Sequence, residues 1–486
     1  GRADEALALA GEVVELAGGG QWRLAPDLFT FNTTISACGH GSWPRALALL
    51  EEMSLAVVRP DVVTLNSTIS ACSQGQAWHH ALVAFRALRR QAVQPDRVTF
   101  NAAIHATHRE EPCPDTALGL LAEMLRLRLS PDVITFNATI SGCERAGNWT
   151  TALTLLDSMP GQDLAVNTIT CNAVIGACRA GLRWEAALDL FGEMPLRSLK
   201  ATAISYTLAI SCCEKGSRWP EALLLLREMR WDRLRPSAET YSAAIAACAT
   251  GLAWEEALAL LAEMAARSLE PDLAAYNSAI SACENCGLWE RALALFDELG
   301  IYGLKADVVT YGATISALEK GGRWHLALQS LGEMRQRRLA PNAAVYSSAI
   351  LALRGAGLSS AAQEMYSEAL HEGVLDPRRR GWDPTARASW RRGGAGPAAV
   401  LDLHGLSSGV AEVAVSAALQ ELRLAAGCAR RLELITGRGI HSQDGEPVVR
   451  EAVLALLEGL PDVCAAVDPG NPGCVLVDLL TPPGAE

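Results

Sequence analysis

Several large protein classes are ruled out by what this sequence does not contain. No apolar stretch is long enough to cross a bilayer before a charge, glycine or proline interrupts it, which argues against a transmembrane protein. Basic residues are in the minority, 42 against 54 acidic ones, with a formal net charge of −12. That balance speaks against a generally basic nucleic-acid binder and leaves room only for a local basic face. No P-loop, Rossmann fingerprint or Ser-His-Asp nucleophile arrangement is found. Aromatic residues are scarce at 5%, yet an apolar share of 50% is too high for a disordered chain. A length of 486 residues fits two to four domains or one long repeat array.

Internal repetition decides between these. Trp recurs at positions 43, 78, 149, 184, 219, 254, 289 and 324, with a step of 35 over most of that run. Ile35, Ile69, Ile104, Ile140, Ile175, Ile210, Ile245, Ile280, Ile315 and Ile350 keep the same phase, as do Met124, Met159, Met194, Met229 and Met264. Ten copies follow, starting at Leu28, Val62, Arg97, Val133, Thr168, Ala203, Ala238, Leu273, Val308 and Ala343. The first is one residue short and the third one long.

Each copy reads as two helices. In the fifth, Cys171, Ile175 and Cys178 share a face of the first helix, and Trp184, Leu188, Phe191 and Met194 share a face of the second. Gly181 marks the turn between them. One such pair cannot bury its own apolar face, so neighbours must stack into a solenoid, with Trp, Ile and Met as its core. Cys38, Cys72, Cys143, Cys178, Cys213, Cys248 and Cys283 occupy one repeat position and read as small buried apolar residues of a reducing compartment. Cys283-Glu-Asn-Cys286 has redox or zinc spacing, but no second CxxC or His pair accompanies it.

The copies begin Asp-Val-Val-Thr-Leu-Asn-Ser-Thr-Ile (61–69), Asp-Val-Ile-Thr-Phe-Asn-Ala-Thr-Ile (132–140) and Asp-Val-Val-Thr-Tyr-Gly-Ala-Thr-Ile (307–315). With the Trp/Ala-Leu second helix and the Glu-Met that follow, residues 28–377 closely resemble the pentatricopeptide repeat family. The resemblance implies an all-α, right-handed superhelical solenoid of helix-turn-helix repeats that binds single-stranded RNA, one base per repeat. Residues 1–27 read as a partial, degenerate repeat.

In that family the fifth and last residues of a repeat set the base. Carried over, the pairs are Asn32 with Asp61, Asn66 with Asp96, Asn101 with Asp132, Asn137 with Asn167, and Asn172 with Thr202. Thr207 with Ser237, Ser242 with Asp272, Asn277 with Asp307 and Gly312 with Asn342 follow. Ser347 and Pro377 belong to a tenth copy that caps the array. Val63, Val98, Ile134, Ile169, Ile204 and Val309 match the family's apolar residues that sandwich each base. The implied target is U-rich, 5′-U-U-U-(C/U)-pyrimidine-purine-G-U-N-3′, with N-terminal repeats at the 5′ end. The competing reading makes the polar positions helix caps or solvated surface on a protein-binding scaffold. Arg109, Arg145, Lys215 and Lys320 share one phase and are candidates for phosphate contacts or plain solvated charge.

Behind the array, residues 378–397 carry six arginines against one aspartate and read as an exposed basic linker. Then the periodicity changes. Strand signals at 400–405, 432–436 and 474–480 alternate with amphipathic helices at 409–426 and 446–459, a small α/β sandwich. The motifs Leu401-Asp-Leu-His-Gly405 and Thr436-Gly-Arg-Gly-Ile-His-Ser442 make residues 398–482 resemble the Smr (small MutS-related) domain.

That resemblance implies nucleic-acid contact and, in some members, endonucleolytic cleavage. Asp402 and His404 are the candidate catalytic residues, and Gly437, Arg438 and Gly439 the candidate nucleic-acid loop. His404 can move a proton, Asp402 can orient it or hold a divalent metal such as Mg, and Arg438 can hold a phosphate. The bland alternative has Asp402 and His404 bracing a strand end. The pentatricopeptide family works mostly in plastids and mitochondria, which places this protein in one of them by resemblance, with no targeting segment visible after Gly1.

Overall fold

The computed structural model describes residues 27–38, 42–75, 77–90, 94–107, 114–375, 399–424, 431–437 and 447–479. The chain divides into two compact units, residues 1–251 and 252–486. Residues 1–26 and the linker 378–397 lie outside the described residues, so the readings made of them have no structural counterpart. Among the described residues no helix is long and apolar enough to cross a membrane.

Both units are α-solenoids of stacked helix pairs. In the first unit the pairs begin with Leu28–Ala37 and Trp43–Leu55, and the fifth is Thr168–Ala180 with Trp184–Leu196. In the second unit a typical pair is Leu273–Asn285 with Trp289–Ile301, and the last is Ala343–Gly355 with Ser359–His371. Local chemistry explains the boundaries. Each first helix starts at a side-chain cap that is the last residue of the copy before. Asp132, for example, accepts from the Thr135 N–H at 2.9 Å while Thr135 answers the Asp132 N–H, a capping box. Second helices start at the recurring Trp, with Pro44 and Pro220 in the first turn where a missing N–H costs nothing.

The core is the expected one with one correction. Ile35, Ile175 and Ile350 are fully buried, and so are Met53, Met194 and Met334. Trp43, Trp149, Trp184, Trp219, Trp254, Trp289 and Trp324, by contrast, are only half-buried. Five of them lie against the glycine that ends the first helix of the next copy. Trp43 covers Gly75, Trp149 covers Gly181, Trp184 covers Gly216 and Trp289 covers Gly321, leaving no room for a methyl group. Arginines close the other side: Arg183 stacks over Trp149 and Arg323 over Trp289, each at 4.6 Å. The indole is thus a clamp between copies, and its period reflects that clamp.

The phase-locked cysteines are buried and form no disulfides. Burial pushes the Cys72, Cys143 and Cys283 thiols up to about 11, which keeps them protonated and unreactive. Cys286 takes the place of the clamp glycine, and its thiol donates to the Leu252 carbonyl at 3.5 Å. The CxxC spacing is thereby explained as packing.

Turns between the helices of a pair place one residue in the left-handed region. That residue is Gly287, Gly322 or Gly357 in the later copies but Leu182 (φ +57°) and Leu252 (φ +61°) earlier. Leu182 is also exposed at 64%. Leu182→Gly removes a Cβ penalty of roughly 1 kcal/mol with no packing to lose. The expected result is a higher unfolding midpoint in urea with an unchanged slope.

The second unit also holds the α/β domain. Four strands, β1 (Ala399–Asp402), β2 (Arg431–Ile435), β3 (Val463–Val467) and β4 (Cys474–Leu479), form one sheet in the order β1-β2-β4-β3. β1 and β2 are parallel, and β4 runs antiparallel to both β2 and β3. The sequence predicts three strands and misses β3, a short edge strand of Val463-Cys-Ala-Ala-Val467 without a clean alternation. Helices Ser408–Leu424 and Val448–Glu458 stand close to their expected places.

The last repeat does not end the array as a solvated cap. Its Tyr346, Ile350, Leu353 and Tyr366 share one apolar core with Leu401, Val410, Ala411 and Ala414 of the α/β domain. Gly409 lies against Leu351 and Arg354 with no space for a side chain, and Arg354 pairs with Glu412 beside it. The α/β domain is what covers the terminal apolar face.

Candidate nucleic-acid interface

The fifth and last positions of the copies, 29 to 31 residues apart in sequence, are brought into contact. Asn32 donates from Nδ2 to Asp61 Oδ1 at 3.0 Å, Asn66 to Asp96 at 3.4 Å, and Asn101 to Asp132 at 3.2 Å. Asn277 does the same to Asp307 at 3.3 Å in the second unit. The last residue is held by its job as helix cap, so its carboxylate sits beside the fifth residue of its own copy. Capping therefore belongs to the last positions, and the fifth-position asparagines are not caps.

These carboxylates are held ionised. Burial alone would raise Asp61, but hydrogen bonds from the Thr64 N–H, the Thr64 hydroxyl and the Asn32 amide outweigh it and leave the group below its ordinary value of 3.8. Asp96, Asp132 and Asp307 are lowered in the same way, each by its own Thr and Asn partners. A depressed carboxylate stabilises the fold fully above its unfolded value and loses that effect as pH falls through the folded one. The expected thermal midpoint is therefore flat above about pH 5 and falls below about pH 4, with four groups titrating together.

Other pairs are built differently. Thr170 reaches Asn137, and Asn167 caps Thr170 at 2.9 Å. Thr202 and Ser237 cap their helices, and Thr207 meets the Thr240 hydroxyl at 2.7 Å. Ser242 donates back to its own Ala238 carbonyl at 3.0 Å. Asp272 and Asn342 cap through the N–H groups of Ala275 and Val345. Gly312 offers no side chain.

The expected base-sandwiching residues form an exposed aliphatic row. Val63 is 54% exposed and Ile134 66%, and Val98, Ile169, Ile204 and Val309 are similarly open. Phe29 belongs to this row in the first copy. Exposed apolar groups at this position in seven of the ten copies are not explained by the fold, whose core lies on the opposite face of the same helices.

The cationic candidates are less free than their phase suggests. Lys215 pairs with Glu214 at 2.8 Å and Lys320 with Glu284 at 3.1 Å. Arg145 is exposed in the last turn of its helix, and Arg109 lies outside the described residues.

In the α/β domain the two motifs meet at the ends of adjacent parallel strands. Leu403 N–H donates to the Ile435 carbonyl at 2.9 Å, which carries the first motif alongside the second. His404 is exposed, and its ring edge lies against Gly437, where an added Cβ would stand 3.3 Å from Cδ2. Gly437 has φ +78° and Gly405 φ +86°, so both tight turns need glycine. Asp402 accepts the His404 backbone N–H at 3.1 Å and so shapes the turn that presents the imidazole. Arg438 and Gly439 lie outside the described residues. Among the described residues no group of three or more His, Cys, Asp or Glu side chains converges.

Sequence reasoning missed one element of this interface. A hydroxyl three residues into each following copy joins the pair: Thr64 donates to Asn32 Oδ1 at 2.5 Å, and Thr99 to Asn66 and Thr135 to Asn101 at 2.6 Å. Its signal, Thr three residues after Asp, is visible in every quoted motif but reads as an ordinary capping box.

The fold and the in-phase polar ladder define a helical-repeat protein with an α/β domain behind it. Family comparisons agree. The pentacotripeptide-repeat region of PRORP matches residues 126–302, the pentatricopeptide repeat domain matches 48–109 and 294–356, and the Smr domain matches 401–480. The chain belongs to the pentatricopeptide repeat family and carries a Smr domain.

Among solved structures, the pentatricopeptide repeat protein PPR10 in complex with an 18-nt psaJ RNA element is similar at 24% identity and a TM-score of 0.42. The match covers 94% of this chain and 59% of that one, so this chain spans little more than half of it. The crystal structure of PPR10 from maize matches at 18% identity and a TM-score of 0.31, over 89% of this chain and 76% of that one. The repeat domain of Arabidopsis thaliana protein-only RNase P 1 in complex with tRNA matches at 14% and 0.33, over 37% and 94%. No curated protein matches the chain.

Proposed function

We propose that this protein binds single-stranded RNA with sequence selectivity, its repeats each presenting one polar pair to one base. The observation that carries the reading is an Asn held against a capping Asp in four copies, with an exposed apolar side chain at the second position of most copies. An aliphatic flank can sandwich a base face while the amide meets its edge, which suits unpaired RNA. The family code applied to these pairs gives the U-rich target 5′-U-U-U-(C/U)-pyrimidine-purine-G-U-N-3′. The paired state of Lys215 and Lys320 fits selectivity drawn from base contacts more than affinity drawn from phosphates.

The Smr domain, seated on the last repeat, would meet RNA on the 3′ side of the bound segment. In the enzyme form of this reading the exposed His404 imidazole takes a proton from the RNA 2′-hydroxyl as that oxygen bonds to the adjacent phosphorus. The phosphorus–5′-oxygen bond breaks, the leaving 5′-oxygen takes a proton from water, and Asp402 keeps the turn in shape. The RNA is then cut at a fixed offset in an organellar transcript, the compartment being carried over from the family. A randomised RNA pool at fixed salt, with bound and cut molecules both sequenced, tests this. Wild-type protein should enrich the U-rich motif and cut at one offset, and the double variant Asp402→Ala with His404→Ala should enrich without cutting. Enrichment without cuts in either protein would leave a binding factor. No enrichment would return the array to a protein-binding scaffold.

A further inference from the structure

We infer that the buried hydroxyl at the third position of each following repeat is a positioning residue for base selectivity, a latch that fixes which way the code asparagine's amide faces. This rests on the base-reading function proposed above and adds a third residue to each reading unit. Thr64, Thr99, Thr135, Thr170 and Thr310 are all fully buried, so none can touch RNA itself. Each instead donates to the Oδ1 of an asparagine in the copy before, at 2.5–2.7 Å.

Hydrogen-bond chemistry leaves one consistent arrangement. An ionised Asp only accepts, so the amide nitrogen of Asn66 must face Asp96 and the amide oxygen must face Thr99. The Thr99 hydroxyl accepts the Asp96 backbone N–H at 3.2 Å and shares its single proton between Asn66 Oδ1 at 2.6 Å and Asp96 Oδ1 at 2.7 Å. Turning the amide over would set its oxygen against the carboxylate and take from the hydroxyl one of its two acceptors. One amide N–H and one oxygen lone pair then remain, in fixed places, for a base edge. A donor in a fixed place favours a carbonyl such as uracil O4 over an amino group such as cytosine N4.

The sequence pattern separates this role from capping. All six fifth-position asparagines, Asn32, Asn66, Asn101, Asn137, Asn172 and Asn277, are followed by Thr or Ser at the next third position. Where the fifth residue is Ser242 or Gly312, the next third position is Ala275 or Val345. Asp272 still caps its helix there, through the Ala275 N–H at 2.8 Å, so a cap does not need the hydroxyl. The hydroxyl follows a fifth residue that can bond to it: the six asparagines, and Thr207, whose own hydroxyl meets Thr240 at 2.7 Å. One unit shows the latch undone: Ser205 turns to Thr202 at 3.0 Å, and Asn172 Oδ1 is left buried without a partner.

The test uses the full chain, a nine-nucleotide RNA of the proposed sequence, and its U→C variants at the second and eighth nucleotides. In Thr99→Val the uracil-over-cytosine affinity ratio should fall about tenfold at the second nucleotide, the worth of one net hydrogen bond, and stay unchanged at the eighth. Thr310→Val should do the reverse, which guards against one variant failing to fold. Thr99→Ser should keep the wild-type ratio. If both valine variants bind all RNAs more weakly but keep their ratios, the hydroxyl only supports the helix and the latch is wrong. If wild-type protein shows no uracil preference at either nucleotide, base reading itself fails and the latch falls with it.

Discussion

Asn66→Ser, with Asp96 retained, should change the preferred base at the second nucleotide from uracil to guanine. The discrimination expected is roughly 10–100-fold, the usual worth of a well-placed polar contact to a base edge. The wild-type amide fills the space beside Asp96 and spends one N–H on its carboxylate. Serine is shorter, carries no second donor, and leaves both the carboxylate and the space open to a larger base. The chain contains the same combination in Ser242 and Asp272, which the family code assigns to guanine. Equilibrium binding to four RNAs differing only at the second nucleotide measures the change. An equal loss on all four would mean that Asn66 supports the fold without reading a base.

The second large effect concerns the Smr domain. Gly409→Leu should split the unfolding of the second unit into two transitions. In the wild-type protein Tyr346 and Ile350 of the last repeat and Val410 and Ala414 of the Smr domain belong to one core, which couples their unfolding. A leucine at Gly409 must displace Leu351 and Arg354, and overpacking of that kind costs about 1–3 kcal/mol. It also disturbs the Arg354–Glu412 pair, whose carboxylate side chain is mostly buried. Calorimetry and limited proteolysis should show a separately melting Smr domain and an exposed last repeat. Two transitions already in the wild-type protein would show that the two are merely tethered.

Much of this was legible in the residues because a solenoid writes its packing into a period. Ile175 and Met194 recur because each copy buries them against its neighbour, and that burial needs no knowledge of distant contacts. The role of Trp149 was less legible, since an indole clamped between Gly181 and Arg183 has the same period as one in the core. Asn66 and Asp96 could be named only through the family, because nothing in their spacing says that a cap will return to the fifth residue. Thr99 was hidden by doing two jobs at once. β3 escaped because an edge strand of Val463-Cys-Ala-Ala-Val467 has too few large side chains to show an alternation. The docking of the Smr domain left no trace, since Arg378–Pro397 has the composition of a free linker while the contact is made by Gly409 and Glu412 far beyond it.

The central claim is that the array reads bases, and the most direct test compares two RNAs of identical composition. One carries the nine-nucleotide target in order and the other the same nucleotides shuffled, titrated against the full chain at one fixed salt concentration. The account predicts that the ordered RNA binds at least about a hundredfold more tightly, since several code pairs each contribute a factor of that kind. Equal affinity for the two would contradict it, and would mean that the asparagine–aspartate ladder holds the repeats together without reading anything.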